Sequence, residues 1–384
     1  MTLTNIHNQI QLPPLSLYIH IPWCIEKCPY CDFNSHTFKS KLPEEDYIDH
    51  LLLDLKQSLP LIYNREIKTV FIGGGTPSLL SEASMQKLLS GIKTIVNISP
   101  DAEITMEANP NSVEADKFLS FNQSGVNRLS IGVQSFHPDK LKRLGRVHNQ
   151  EEAIAAAHIA SRVPFQSFNL DIMHGLPNQS LDEAMADLDQ MIQLNPPHFS
   201  WYQLTIEPNT NFASKPPQLP EDDLLWEIYI KGHEKLTQAG YIQYETSAYA
   251  KQGYQCAHNL NYWRFGDYIG IGCGAHGKIT HLDGTIERIQ KIKHPKGYMA
   301  GTYLDKSWLV ANEERPFEFF MNRFRLFEPT PKAEFETFTG LTLCAIESSI
   351  TEAIKKEFIT ENLTHWKITD KGKLFLNDLL GLFI

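Results

Sequence analysis

The sequence predicts an α/β protein: a partial (β/α)6 barrel followed by a C-terminal, mainly helical, winged-helix-like domain. Three observations predict it. Six short runs of β-branched and aromatic residues alternate with amphipathic helical stretches, which implies βαβ units and a parallel sheet. Glycine and polar residues collect directly after those runs, at the edge where (β/α) barrels build their sites. From about residue 310 the rhythm gives way to helical stretches and a short strand pair.

Taken in order, the strands are SLYIHI (16–21), TVFIGG (69–74), EITMEA (103–108), RLSIGV (128–133), SFNLDIM (167–173) and FSWYQLTI (199–206). Helical stretches at 44–58, 81–95, 112–122, 138–143, 150–160, 180–193 and 221–238 lie between and after them. Right-handed crossovers curve six such units into a partial or full barrel. PWC, GGGTP, ANPNS, QSF and HGLPNQS follow the first five strands in turn, so their residues are expected at one mouth. YIQYETSAYA (241–250) reads as strand, and CAHNLNYWRFGDYIGIGCGAHG (256–277) as loop-like. Helical stretches at 316–327, 332–338 and 344–358 precede NLTHWKITDKGKLFLNDLL, a strand pair and helix. The expected division is a barrel core over 1–240, a barrel-completing segment over 241–309 and the winged-helix-like domain over 310–384. A helical cap completing the barrel core is the alternative for the last part.

No repeat recurs at a fixed period, which disfavours a solenoid. Of 384 residues, 42% are apolar and 21% charged, as in globular proteins. No run of about 18 apolar residues marks a membrane helix. The opening MTLTNIHNQIQLPP lacks the basic-then-apolar order of a secretory signal. A net charge of −10 argues against general nucleic-acid binding.

Three of the six cysteines, Cys24, Cys28 and Cys31, fall in a CxxxCxxC spacing, whereas Cys256, Cys273 and Cys344 stand apart. Such a loop can wrap three sulfurs around one metal centre. Structural zinc takes four closed ligands, so zinc would need His20 or His36. Three buried thiols are the plainer alternative. An iron–sulfur cube takes four thiolates, and three would leave one iron open. Thiols that must stay reduced predict a cytoplasmic protein.

SLYIHIPWCIEKCPYCDFNSH resembles the cluster loop of radical S-adenosylmethionine (SAM) proteins, and the resemblance over almost the whole chain is to their coproporphyrinogen dehydrogenase-like subgroup. It implies a 4Fe–4S cluster on Cys24, Cys28 and Cys31, with SAM on the open iron. For SAM it further implies Tyr18 and Tyr30 as contacts, and Gly74, Gly75 and Thr76 of GGGTP as the binding turn. Glu107, Gln134, Arg146 and Asp171 match the subgroup's polar SAM-site positions. Their chemistry suits the ligand: carboxylates for an ammonium or ribose, an amide that donates and accepts, and a guanidinium for a carboxylate.

The radical porphyrinogen dehydrogenases carry a further cysteine two residues after the third ligand, where this chain has Phe33. Instead the chain has HNLNYW (258–263), which resembles a block of the haem chaperones in the same subgroup. That resemblance implies haem on His258, with Tyr262 and Trp263 against the macrocycle; the plainer reading is a loop-capping histidine and a core aromatic pair. The function expected is a haem chaperone that binds haem and transfers it to an acceptor protein. The alternative is oxygen-independent oxidative decarboxylation of coproporphyrinogen III. Implied partners are a haem acceptor protein and a flavodoxin- or ferredoxin-like electron donor; a homodimer and a transient membrane contact are compatible. GIGCGAHG (270–277) reads as a tight turn sealing the barrel, with Cys273 buried, and His174 as structural.

Overall fold

The computed structural model describes residues 11–38 and 42–384. The first ten residues, part of the stretch read for a targeting signal, lie outside the described residues. The six expected strands are β1 (Leu15–Ile21), β2 (Ile67–Gly74), β3 (Ile98–Ala108), β4 (Arg128–Gln134), β5 (Ser167–His174) and β6 (His198–Gln203), all parallel to one another. They are followed by β7 (Ile242–Glu245), β8 (Ala248–Ala250), β9 (Asp267–Ile271), β10 (His276–Thr280), β11 (Ile286–Lys291) and β12 (Leu304–Leu309). The sheet order is β12-β11-β10-β9-β1-β2-β3-β4-β5-β6-β8-β7. The sheet is therefore open, with antiparallel extensions on both sides of the parallel core.

Two sequence expectations are corrected here. The segment 256–277 is not simply a loop: it holds a short helix (Ala257–Trp263) and β9, which joins β1 as a seventh parallel strand. The sixth strand stops at Gln203, and the chain continues through Thr205 and Ile206 as loop.

The outer face of the sheet is apolar because helices cover it. α1 (Glu44–Ser58), α2 (Glu82–Ile95), α3 (Phe118–Ser124), α4 (Gln150–Arg162), α5 (Leu181–Leu194) and α6 (Asp222–Gln238) follow the strands. The expected helix over 112–122 is broken into Ser112–Ala115 and α3. Leu17, Ile19, Val70, Ile72, Leu129, Ile131, Leu170 and Ile172 share one core with Leu51 and Leu55, Leu88 and Leu89, Ala156 and Ala160, and Leu188. Burial of each large side chain contributes about 1.5–3 kcal/mol. Asn149 and Ser180 begin α4 and α5 with reciprocal capping boxes to Glu152 and Glu183.

The opposite face carries polar residues. Register aligns Thr69 with Glu103, Glu107 with Ser130, Ser130 with Asn169, and Asn169 with His198. The barrel lumen is thus lined by groups able to bind or position a ligand. α7 (Ala257–Trp263) closes the N-terminal end of the strands, as its bonds to Thr69 and Glu103 show.

The C-terminal part contains α8 (Arg315–Arg323), α9 (Lys332–Thr339), α10 (Glu347–Lys355) and a three-stranded sheet. That sheet is made by β13 (Thr330–Pro331), β14 (Ile359–Glu361) and β15 (His365–Ile368), with β15 central. Phe319, Phe320, Phe335, Trp366 and Phe383 form its own apolar core. It is fastened to the barrel by backbone bonds Thr246 N–H to Arg325 O (3.1 Å) and Phe327 N–H to Tyr244 O (3.1 Å).

Candidate functional site at the barrel mouth

A cavity of about 390 Å³ opens beyond the C-terminal ends of the parallel strands, within the range of small-ligand sites. Cys24, Cys28, Cys31, Tyr30, Gly74, Gly75, Thr76, Glu107, Gln134, Arg146 and Asp171 all line it. They come from β1 to β5 and the loops after them, so the strand-end pattern has converged on one place.

The cysteine loop leaves β1 and is held on both sides. Trp23 packs edge-on against Tyr47 at 4.7 Å between ring centres. A two-residue parallel ladder pairs Trp23 with His36 and Cys24 with Thr37. The three thiols are free and half-buried. Thr76 Oγ1 donates toward Cys24 Sγ at 3.6 Å, and Arg146 Nη1 toward Cys28 Sγ at 3.6 Å. Both contacts suit thiolates. Burial raises the Cys24 and Cys31 thiols, so metal uptake would displace their protons.

The zinc alternative fits poorly. His20 is committed through both ring nitrogens, to Tyr18 Oη at 3.0 Å and Asn34 O at 2.8 Å. His36 Nε2 is held by Asn34 Oδ1 at 3.3 Å. Among the described residues, no three His, Cys, Asp or Glu side chains are grouped to hold a single ion. Three thiols around a polar cavity, with cationic and hydroxyl donors aimed at sulfur, fit a larger thiolate-bound centre.

GGGTP follows β2 and lies against the cysteine loop. Gly75 N–H donates to Ile21 O (2.7 Å) and Thr76 N–H to Trp23 O (2.8 Å). Gly74 has φ +116°, and a Cβ there would meet the His20 ring at 2.6 Å; one at Gly75 would meet Trp23 O at 2.5 Å. Only glycine permits this approach. Gly74 N–H also donates to Glu107 Oε2 at 3.0 Å, leaving the other carboxylate oxygen without a protein donor among the described residues.

Asp171 is steadied by Asn169 Nδ2 (2.8 Å) and Ser130 Oγ (3.2 Å). Gln134 ends β4 at φ +68°, a left-handed conformation uncommon for a non-glycine residue, and accepts from Tyr202 Oη at 2.8 Å. Arg146 Nη2 donates to Gly132 O (2.6 Å) and Asn109 Oδ1 (2.7 Å), while its buried Nε has no partner among the described residues. Burial opposes the guanidinium's charge, but Tyr30 and Cys28 outweigh that effect. A guanidinium thus stands in the cavity wall, where it suits an anionic group.

Burial pushes the Glu107 carboxyl up to about 8; repulsion from Asp171 adds to this, and the Gly74 N–H opposes it. An unfolded glutamate titrates near 4.3. Between these values the folded chain holds a proton that the unfolded chain has lost, so this group makes stability fall as pH rises. Glu107→Gln is therefore expected to flatten the pH dependence of the ligand-free urea midpoint between about pH 5 and 8. An unaltered slope would contradict it.

The remaining sequence-derived residues lie elsewhere. Tyr18 does not line the cavity. It lies behind it, bonded to His20 and stacked on Phe71 at 6.3 Å. His258, Tyr262 and Trp263 lie on α7 at the opposite end of the barrel. His258 is only 1% exposed; its Nδ1 pairs with Thr69 Oγ1 at 2.8 Å, and its buried Nε2 has no partner among the described residues. Burial lowers this imidazole to about 3, so it is neutral. Trp263 lies under Arg325 at 4.4 Å. His174 lies tilted against Trp201 at 4.4 Å between ring centres, and Cys273 is buried.

Among the lining residues that sequence reading did not single out are Asn109, Ser130 and Tyr202. Asn109 bridges Arg146 and Thr76 Oγ1 (3.2 Å). Asn109 and Tyr202 lie at strand ends, so the rule that found Glu107 could have found them.

The pattern of the radical SAM superfamily matches residues 18–191, and that of the HemN C-terminal domain matches residues 310–375. The chain is 61% identical to "Heme chaperone HemW" of Escherichia coli, covering 98% of this chain and 99% of the relative. It is 59% identical to the protein of that name in Haemophilus influenzae (97% and 99%) and 34% identical to that in Bacillus subtilis (96% and 99%). Among solved structures, coproporphyrinogen III oxidase (HemN) from Escherichia coli superposes with a TM-score of 0.83 at 23% identity, over 97% of this chain and 90% of that one.

Proposed function

The chain belongs to the heme chaperone HemW family and has a radical SAM scaffold, and from that premise we propose how its two motif-bearing ends divide the task of binding haem and passing it to an acceptor protein. The observation that carries the haem-chaperone reading is identity of 61% sustained over 98% of the chain.

At the mouth, Cys24, Cys28 and Cys31 are the proposed ligands of a 4Fe–4S cluster. When bound, it would supply an open iron site for SAM and a centre for single-electron chemistry. Gly74, Gly75 and Thr76 would present backbone groups to SAM, Arg146 its carboxylate clamp, and Glu107 and Asp171 acceptors for its ammonium or ribose. Gln134, held by Tyr202, would orient a further polar group of SAM. Tyr30, packed with Phe212 at 6.4 Å, would offer an aromatic wall. Tyr18 would act from behind, by setting His20.

At the other end, His258 is the proposed haem ligand, with Tyr262 and Trp263 beside it. Its unpartnered Nε2 supports the assignment, and its burial means that α7 must move to admit a macrocycle. Haem is cargo in this reading, a second protein accepts it, and a flavodoxin- or ferredoxin-like donor would serve the cluster. Radical decarboxylation of a porphyrinogen has the shared fold in its favour, but a likeness at 23% identity carries fold alone. No helix among the described residues is long and apolar enough to cross a membrane.

Haemin titration of the full chain tests the proposal. A saturable Soret change near one haem per chain is expected, weakened about tenfold or more in His258→Ala through loss of an axial ligand. A flat titration of the parent protein would reject haem binding; an unchanged His258→Ala curve would reject the ligand.

A further inference from the structure

The cysteine loop is fixed at its entry by β1 and GGGTP. Its exit depends on another residue, which neither the motif reading nor the chaperone reading assigns. Asn34, three residues after Cys31, donates both amide hydrogens to the chain beyond β9 and β11: Nδ2 reaches Cys273 O at 2.9 Å and Lys293 O at 2.8 Å. Its backbone oxygen accepts from His20 Nε2 at 2.8 Å, and His20 Nδ1 is in turn held by Tyr18 Oη at 3.0 Å. One side chain and its own carbonyl therefore tie the loop to β1 and to the turn between β9 and β10.

That turn is shaped to receive it. Gly274 has φ +76°, and a Cβ there would lie 2.3 Å from Asn34 Nδ2. The turn is anchored from behind: Cys273 N–H donates to Tyr47 Oη at 2.9 Å, and Tyr47 Oη donates to His20 O at 2.8 Å. Gly272 N–H reaches Tyr298 Oη at 3.0 Å, and Tyr298 Oη donates to buried Asp54 at 2.7 Å. A rigid socket thus meets a loop that would otherwise be held at its exit by the short Trp23–His36 ladder and the His36 N–H bond to Pro22 O at 2.7 Å.

We infer that Asn34 is a positioning residue for the metal-binding loop and that Gly274 is its socket, together setting where Cys31 stands relative to Cys24 and Cys28. This rests on the cluster reading above. It gives the glycine-rich 270–277 segment a task that is neither ligand contact nor mere closure: the missing Cβ makes room for a side chain of the cysteine loop.

The test uses the full chain, reconstituted without oxygen. Asn34→Ala is expected to load a cluster but to release iron to a chelator about tenfold faster or more, the usual scale for losing a residue that orients metal ligands. The spectral change that SAM produces in the reduced cluster should broaden or shrink. The thermal transition of the metal-free protein should stay close to the parent's, since a general folding role would lower it in both forms. Gly274→Ala should reproduce the cluster defect in the parent and add less to it in Asn34→Ala, because Nδ2 and Cγ, the two atoms that a Cβ at 274 would crowd most, are then gone. Failure of the parent to take up iron and sulfide overturns the cluster reading and this inference with it. A stable parent cluster with Asn34→Ala indistinguishable in iron release and SAM response overturns the inference alone, as do equal losses in the metal-free form or fully additive effects in the double variant.

Discussion

Replacing Cys28 with alanine is expected to abolish a stable cluster while leaving haem uptake intact. Two sulfurs cannot hold a cube that normally draws on four thiolates. The loss also removes the acceptor facing Arg146 Nη1, so the cation proposed to clamp SAM loses the partner that helps fix its plane. Reconstituted Cys28→Ala should therefore fall from about four irons per chain to well under one, with no SAM-dependent spectral change. Little stability should be lost in the metal-free state, because Cys28 is half-exposed and its removal opens no core cavity. Haemin titration should match the parent's, because His258 sits on α7 at the other end of the lumen and takes no part in the mouth cavity. Iron and sulfide counting, read beside the Soret titration on one sample, decides it. A simultaneous loss of haem would mean that the two ends are one site.

The mouth was legible because chain topology does the assembling. Residues after parallel strands meet whatever their separation in sequence, so Cys24, Gly74, Glu107, Gln134 and Asp171 could be placed together from strand ends alone. Arg146 lies beyond a short helix after β4, yet the same edge collects it. Tyr18 broke the rule although, like Asp171, it turns into the lumen shortly before its strand ends: its hydroxyl is spent on His20, behind the cysteine loop. The segment around HNLNYW was illegible for a different reason. Its asparagines, glycines and aromatics resemble a loop, and α7 is short for a helix stable on its own. What orders it is a carboxylate on β3, more than a hundred residues earlier, and no local pattern encodes that contact. The seventh parallel strand was missed likewise: its pairing with β1 spans most of the chain.

That carboxylate supplies the second large effect. Glu103 accepts from Ala257 N–H (3.0 Å), His258 N–H (3.0 Å) and Cys256 Sγ (3.4 Å), and faces the Arg128 guanidinium at 3.8 Å. It thus satisfies the exposed donors at the start of α7 and balances a cation that is only 3% exposed. Glu103→Ala leaves the guanidinium buried and unpaired, a defect that costs about 3 kcal/mol. The urea midpoint should fall accordingly, and Glu103→Gln, which keeps an acceptor without the charge, should lose less. The same change should open the route to His258. A ring 1% exposed can meet haem only after α7 lifts, and every 1.4 kcal/mol removed from that opening multiplies the open population about tenfold. Haemin should therefore enter Glu103→Ala on the order of tenfold faster or more in stopped flow, even as the fold weakens. Slower or unchanged uptake beside a lowered midpoint would show that haem does not reach the protein by way of α7, and that the unpartnered nitrogen of His258 is a structural feature of the barrel floor.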